Sequence, residues 1–314
     1  MINITDAKKL DIILPNTNKA LNEVLKNASA EELKVLSKEK DLKSILNSIL
    51  KQSALNRSGD KTLVQLMKNN PTLKSLGDVS STIKDLLSTI RSQTNPLPIE
   101  KKLKNFLVDI KDLSNTKLKQ MLENSGIFLE SSLKKLKPLD SHVKELLSQD
   151  LKAVLLSAKE ELSHSNHVNR GDLLKQMDKL LLQIDYYQLL SHLSNASSLY
   201  LPFSWDAMQE GSIQMKKTDD DKFYCDIDLK LKKYGEVNFK LTLYEKNQLN
   251  LHIYAKSKTF QMLMKEKMSE LRSAIISVNV TPREIRVFEP KSTNATQAYN
   301  EYEDNLAMKF EVKG

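Results

Sequence analysis

Between residues 18 and 195 the apolar positions recur at three and four, and between 223 and 255 they recur at two. The first spacing is that of amphipathic helices, the second that of strands with one dry face. "PNTNKALNEVLKNA" offers an Asn/Thr cap followed by Leu21, Val24 and Leu25 on one side. Ser29 and Glu32 form a capping-box pair ahead of Leu33 and Leu36. Leu42, Ile45, Leu46, Ile49 and Leu50 make a broad apolar stripe, and Ile83, Leu86, Leu87 and Ile90 repeat it. Ser58-Gly59, Asn70-Pro71 and Gly77-Asp78 punctuate this part, and Pro96 and Pro98 hold their preceding residues extended. Helices are expected to resume near 99–111, 116–123 and 128–136, then as two longer ones at 140–163 and 171–195. In the last, Leu174, Met177, Leu181 and Ile184 form a seam flanked by Leu173, Leu180 and Tyr187.

The period changes after "SNASSLYLPFSW". Phe223, Cys225, Ile227, Leu229 and Leu231 share one face, then Val237, Phe239, Leu241 and Leu243, then Leu249, Leu251, Ile253 and Ala255. Turn residues separate the three runs, with Gly235 available for a positive φ. Phe260, Leu263, Met264, Met268, Leu271 and Ile275 follow at helical spacing, and "TPREIRVFEP" closes with a strand that turns Ile285 and Val287 inward. The expected fold class is α+β: a mostly helical N-terminal two thirds, then a small antiparallel β-meander covered by one amphipathic helix. The expected segments are helical regions at 1–95 and 99–198, a C-terminal α+β module at 205–289, and a disordered tail at 290–314 with a short helix around 296–307.

Composition narrows the chemistry. Hydrophobic residues make up 40% of the 314 and aromatics 6%, which suits Leu-rich helix packing. With only 7 glycines and no GxGxxG or GxxxxGK[ST], a phosphate-cradling loop is not expected. The formal charge of +8 comes from 48 basic against 40 acidic residues that interleave at helical spacing, as on a solvated face. Cys225, the single cysteine, excludes an internal disulfide and a Cys-based zinc site and reads as a small buried hydrophobe. His164 and His167 fall in "SHSNHVNRG", a loop without further metal ligands, and Asp219, Asp220 and Asp221 read as turn chemistry. No apolar run approaches a membrane span, and no signal-peptide pattern opens the chain. The expectation is a protein without enzymatic activity, cofactor or metal.

The outward face of the strands carries Tyr224, Lys230, Lys240, Tyr244, His252 and Tyr254, a mixture suited to protein recognition. It also resembles a weak platform for single-stranded nucleic acid, which is the alternative reading. Edge strands or the tail could equally recruit a partner by strand addition.

The stretch "LKLKKYGEVNFKLTLYEKNQLNLHIYAKSKTFQMLMKEKMSELRSAI" resembles the C-terminal domain of flagellar hook-length control proteins, the FliK family. Leu229 and Leu231 match its L-x-L segment, Gly235 and Val237 its turn, and Leu271-Arg272 its helix pair. The likeness spans residues 205–288, and "LLLQIDYYQLLSHLSNASSLYLPFSWD" extends it toward the epsilon-proteobacterial type. Lys232-Lys233-Tyr234 stand where the family often has Pro and Leu, and the long Pro/Gln-rich central segment is missing. The resemblance implies a protein of the cytoplasm, its N-terminal region exported through the flagellar type III apparatus. Its C-terminal domain would contact the cytoplasmic domain of the export-switch membrane protein (FlhB) and change export from hook to filament substrates. Hook or hook-cap proteins are further expected partners; nucleic acid and membrane insertion are not. Gly235 would set the turn, Leu229, Leu231, Val237, Phe239 and Leu271 the module's framework, and Arg272, Tyr244, Tyr254 and Lys240 the partner contacts.

Overall fold

The computed structural model describes residues 18–31, 63–67, 69–92, 98–135, 141–194, 196–218 and 221–290. The stripe at 42–50, Glu32 of the capping box and the tail beyond Pro290 lie outside them. The chain forms two compact units that divide between Thr218 and Asp219.

The first unit contains α1 (Lys19–Lys26), α2 (Pro71–Lys74), α3 (Val79–Arg91), α4 (Ile99–Lys104), α5 (Asn115–Glu123), α6 (Leu129–Lys135), α7 (Ser141–Gln149), α8 (Leu151–Ser163) and α9 (Arg170–Ser194). Side-chain caps start several of them. Asn18, Asn70, Asp78, Ser114 and Asp150 each accept from a backbone N–H in the first turn, which satisfies donors that the helix itself cannot. Asp150, with extended backbone angles, divides the expected helix 140–163 into α7 and α8. The expected helix 99–111 stops at Lys104 and continues as the two-residue strand β1 (Val108–Asp109) and a 3-10 turn at Ile110–Asp112.

α9 is the axis of this unit. Leu173, Met177, Leu180, Leu181 and Ile184 are fully buried in a core shared with α3, α4 and α8, while Leu189 packs with Leu21, Val24, Leu63, Met67 and Leu73 in a second cluster. Helices of both expected helical regions therefore share one core. α8 buries every residue from Leu151 to Ser157, as a helix enclosed on all sides does. Strands β2 (Ser197–Tyr200) and β4 (Met208–Lys217) pair antiparallel, and β3 (Phe203–Ser204) pairs parallel with β1. Leu199 and Tyr200 enter the helical core, so the expected module start at 205 falls inside the first unit.

The second unit orders its strands β5 (Phe223–Leu231), β6 (Gly235–Tyr244), β7 (Gln248–Ala255), β8 (Thr281–Phe288). The β5–β6–β7 meander is antiparallel, in the register that the alternation implies. β8 departs from the expected pattern because it pairs parallel with β7. Parallel neighbours need a crossover, which the intervening helices supply. The expected single helix is two, α10 (Lys258–Glu266) and α11 (Met268–Ser277), broken at Lys267. α10 packs on β7 and β8 and α11 on β8, and Phe260, Leu249, Leu251, Ile253, Ala255 and Ile285 are all buried.

Candidate functional site

In the second unit, strand alternation places polar residues in rows across the face away from the helices. Asp226, Lys240, His252 and Arg286 are direct neighbours in register, and Asp228, Asn238, Tyr254 and Phe288 form the next row. The Tyr254 and Phe288 rings stack at 5.2 Å, and His252 meets Phe288 edge-on at 5.3 Å. The Lys240 ammonium sits 5.9 Å from the centre of the Tyr254 ring, a cation–π distance. Carboxylates are interleaved with these cations. Glu284 lies 2.5 Å from Arg286 and 3.6 Å from His252, and Asn238 Nδ2 donates to Asp228 at 2.7 Å. Burial raises the Asp226 carboxyl above its ordinary range; Lys240 opposes that rise and Asp228 reinforces it.

The structure brings together Lys240 and Tyr254 among the expected contact residues. Tyr244 shares their face but ends β6 opposite Gln248, about 13 Å along the strand from Lys240. Arg272 does not join them. It is exposed on α11, which covers the opposite face, and its Nη1 donates to the Pro282 carbonyl at 3.3 Å. Of the framework residues, Leu231 and Val237 are buried, while Leu229, Phe239 and Leu271 are half-buried. Gly235 turns the chain at φ 74° with open space where a Cβ would lie. Phe288 was not among the expected contacts, although an inward Ile285 and Val287 put it outward by strand parity.

Sequence reasoning also missed a buried polar network in the first unit. Lys152, on α8 and 2% exposed, directs its ammonium at Asp185 Oδ1 (2.7 Å), Glu130 Oε1 (2.5 Å) and Gln188 Oε1 (2.7 Å). The ammonium donates hydrogen bonds to Glu130 and Gln188 and forms an ion pair with Asp185. Gln188 Nε2 donates onward to Glu130 and to the Gly126 and Ile127 carbonyls. Asp185 accepts from the Lys19 backbone N–H at 2.8 Å, tying α1 to α9. Asp150 accepts from Gly126 and Ala153, both at 3.1 Å. Burial is the largest influence on this carboxyl and pushes it up to about 7. For Lys152, burial works against the charge, but Asp185 and Glu130 together hold the ammonium above its ordinary value. The network is enclosed by core side chains and joins helices, so its work is structural.

Other candidate chemistry is dispersed. His164 ends α8 with Nε2 3.0 Å from Glu160, His167 lies in the following loop, and no group of three metal-ligating side chains occurs among the described residues. Cys225 is half-buried; burial, then the neighbouring Asp226, pushes its thiol up to about 12, which disfavours the nucleophilic thiolate. A shallow groove of about 370 Å³ between α3 and α4 is lined by Lys84, Arg91 and Lys104, but Glu100 pairs with both Arg91 (3.1 Å) and Lys104 (2.8 Å). No described helix is long and apolar enough to cross a membrane.

No family model, curated protein or solved structure matches the chain.

Proposed function

We propose that the chain is a non-enzymatic flagellar hook-length control protein whose second unit contacts the cytoplasmic domain of the export-switch protein (FlhB), changing export from hook to filament substrates. The observation that carries this reading is the order of features: Leu229 and Leu231, the left-handed turn at Gly235, alternating strands, then the Leu271-Arg272 pair on a helix. A small α+β unit behind a helical lead suits a reporter that acts by contact. On this reading Lys240 and Tyr254 are partner contacts on the sheet, and Arg272 is a separate contact on α11. The protein works in the cytoplasm and its lead is exported.

The alternative is a single-strand nucleic-acid platform, favoured by the Tyr254–Phe288 stack beside Lys240 and Arg286. Asp226 stands in the same row as Lys240, and Glu284 pairs with Arg286 at 2.5 Å; both carboxylates would repel a phosphate backbone. Calorimetric titration of the full chain with the purified cytoplasmic domain of the export-switch protein separates the two. Saturable binding weakened by Lys240→Glu is expected. Absence of binding, together with salt-dependent capture of an oligothymidine strand, would replace this reading by the alternative.

A further inference from the structure

The apolar face of the second unit is covered over only part of its width. Along β7, every inward residue from Leu249 to Ala255 is buried, and α10 packs on that strand. Along β5 and β6, Leu231 and Val237 at the hairpin end are buried, but the inward Phe223, Cys225, Ile227, Leu229, Phe239, Leu241 and Leu243 are all half-buried, though their alternation is equally regular. Elsewhere in this unit Met262 is 63%, Ile276 59% and Val278 57% exposed. A strand occupies about 4.8 Å of sheet width and a helix with its side chains about 10–12 Å, so the β5–β6 half has the width of one further helix.

Charge around this surface is uneven. The hairpin between β5 and β6 and the step from β7 into α10 meet at one end of the sheet, because Leu231 pairs with Gly235 and Val237 with Ala255. That end gathers Lys230, Lys232, Lys233, Lys256 and Lys258. Glu236 stands opposite Lys230 in register and pairs with Lys256 at 3.3 Å. Among the described residues Lys232, Lys233 and Lys258 have no carboxylate partner, and Lys233 lies against the Tyr234 ring at 5.3 Å.

We infer that the β5–β6 half of this face seats an amphipathic helix from a partner protein, with its apolar stripe along Phe239, Leu241 and Leu243 and its carboxylates at the end that meets Lys232, Lys233 and Lys258. The apolar rows supply contact area, and the unpaired ammonium groups fix the direction in which the helix lies. This surface is opposite the Lys240–Tyr254 rows and does not depend on the flagellar reading.

Two synthetic helical peptides with one Leu stripe, differing only in a Glu-rich or a Lys-rich end, test it by fluorescence anisotropy against the full chain. The Glu-ended peptide is expected to bind about tenfold more tightly, as three exposed charge pairs would allow. The surface variant Lys232→Glu/Lys233→Glu/Lys258→Glu should reverse that preference, and Leu241→Asn should weaken both peptides while leaving far-UV circular dichroism unchanged. Equal binding of the two peptides, or binding untouched by the charge reversal, overturns the inference. So does failure of both peptides with a monomeric chain, which assigns the face to another segment of the same chain. A dimer in sedimentation that Leu241→Asn dissociates assigns it to a second copy and overturns it as well.

Discussion

Lys152 shows how much one side chain can hold. Its ammonium faces Asp185 and Glu130 with almost no solvent, and Asp185 in turn fixes the start of α1. Lys152→Met leaves a buried carboxylate unpaired and should lower stability by about 3–5 kcal/mol in urea denaturation. Adding Asp185→Asn should recover most of that loss, because the orphaned charge goes while the Lys19 N–H keeps an acceptor. Asp150 makes a prediction in pH. Its folded value of about 7 lies above the ordinary 3.8 because of burial, with the Ala153 N–H and Lys152 opposing the rise and Glu130 adding repulsion. Between those two values the folded state holds a proton that the unfolded chain has released. Stability therefore falls as pH rises through that window and levels off above about 7. Asp150→Asn keeps a capping side chain and should make the urea midpoints at about pH 5 and about pH 8 more alike; an unchanged difference would contradict the assignment. None of this was legible in the sequence, where a lysine within a helical pattern reads as solvated. The clue was that the apolar or small neighbours of Lys152, from Leu151 to Ser157, leave α8 no polar side.

At the scale of elements, two glycines with positive φ separate conformational strain from crowding. Gly235 (φ 74°) has nothing within 4 Å of a built Cβ, so Gly235→Ala should cost about 1–2 kcal/mol from backbone strain alone. Gly126 (φ 87°) has Lys152 Cβ at 2.8 Å and Lys152 N at 3.0 Å from that position. Gly126→Ala should therefore destabilise the first unit clearly more than Gly235→Ala does the second, read from separate hydrogen-exchange protection of each. The meander was legible because a period of two and hairpin turns fix register together. The parallel pairing of β8 was not, since an inward Ile285 and Val287 fit a strand running either way. The division of 140–163 had its signal in Asp150, a capping residue masked by apolar spacing that continues through it. Phe288 could have been found by parity, whereas the distance between Arg272 and the Lys240–Tyr254 rows depends on which face α11 covers.

At the scale of the whole molecule, the chain pairs a Leu-rich helical unit, braced by a buried charge network, with a small α+β unit whose two faces differ in chemistry. One face carries mixed aromatic and charged rows, and the other an apolar surface that its own helices half cover. The switching role is the claim on which the account depends, and hook length measured by electron microscopy in a strain lacking the gene tests it most directly. The account predicts abnormally long hooks without filaments, restored to normal length by the intact chain. Hooks of normal length bearing normal filaments would contradict it.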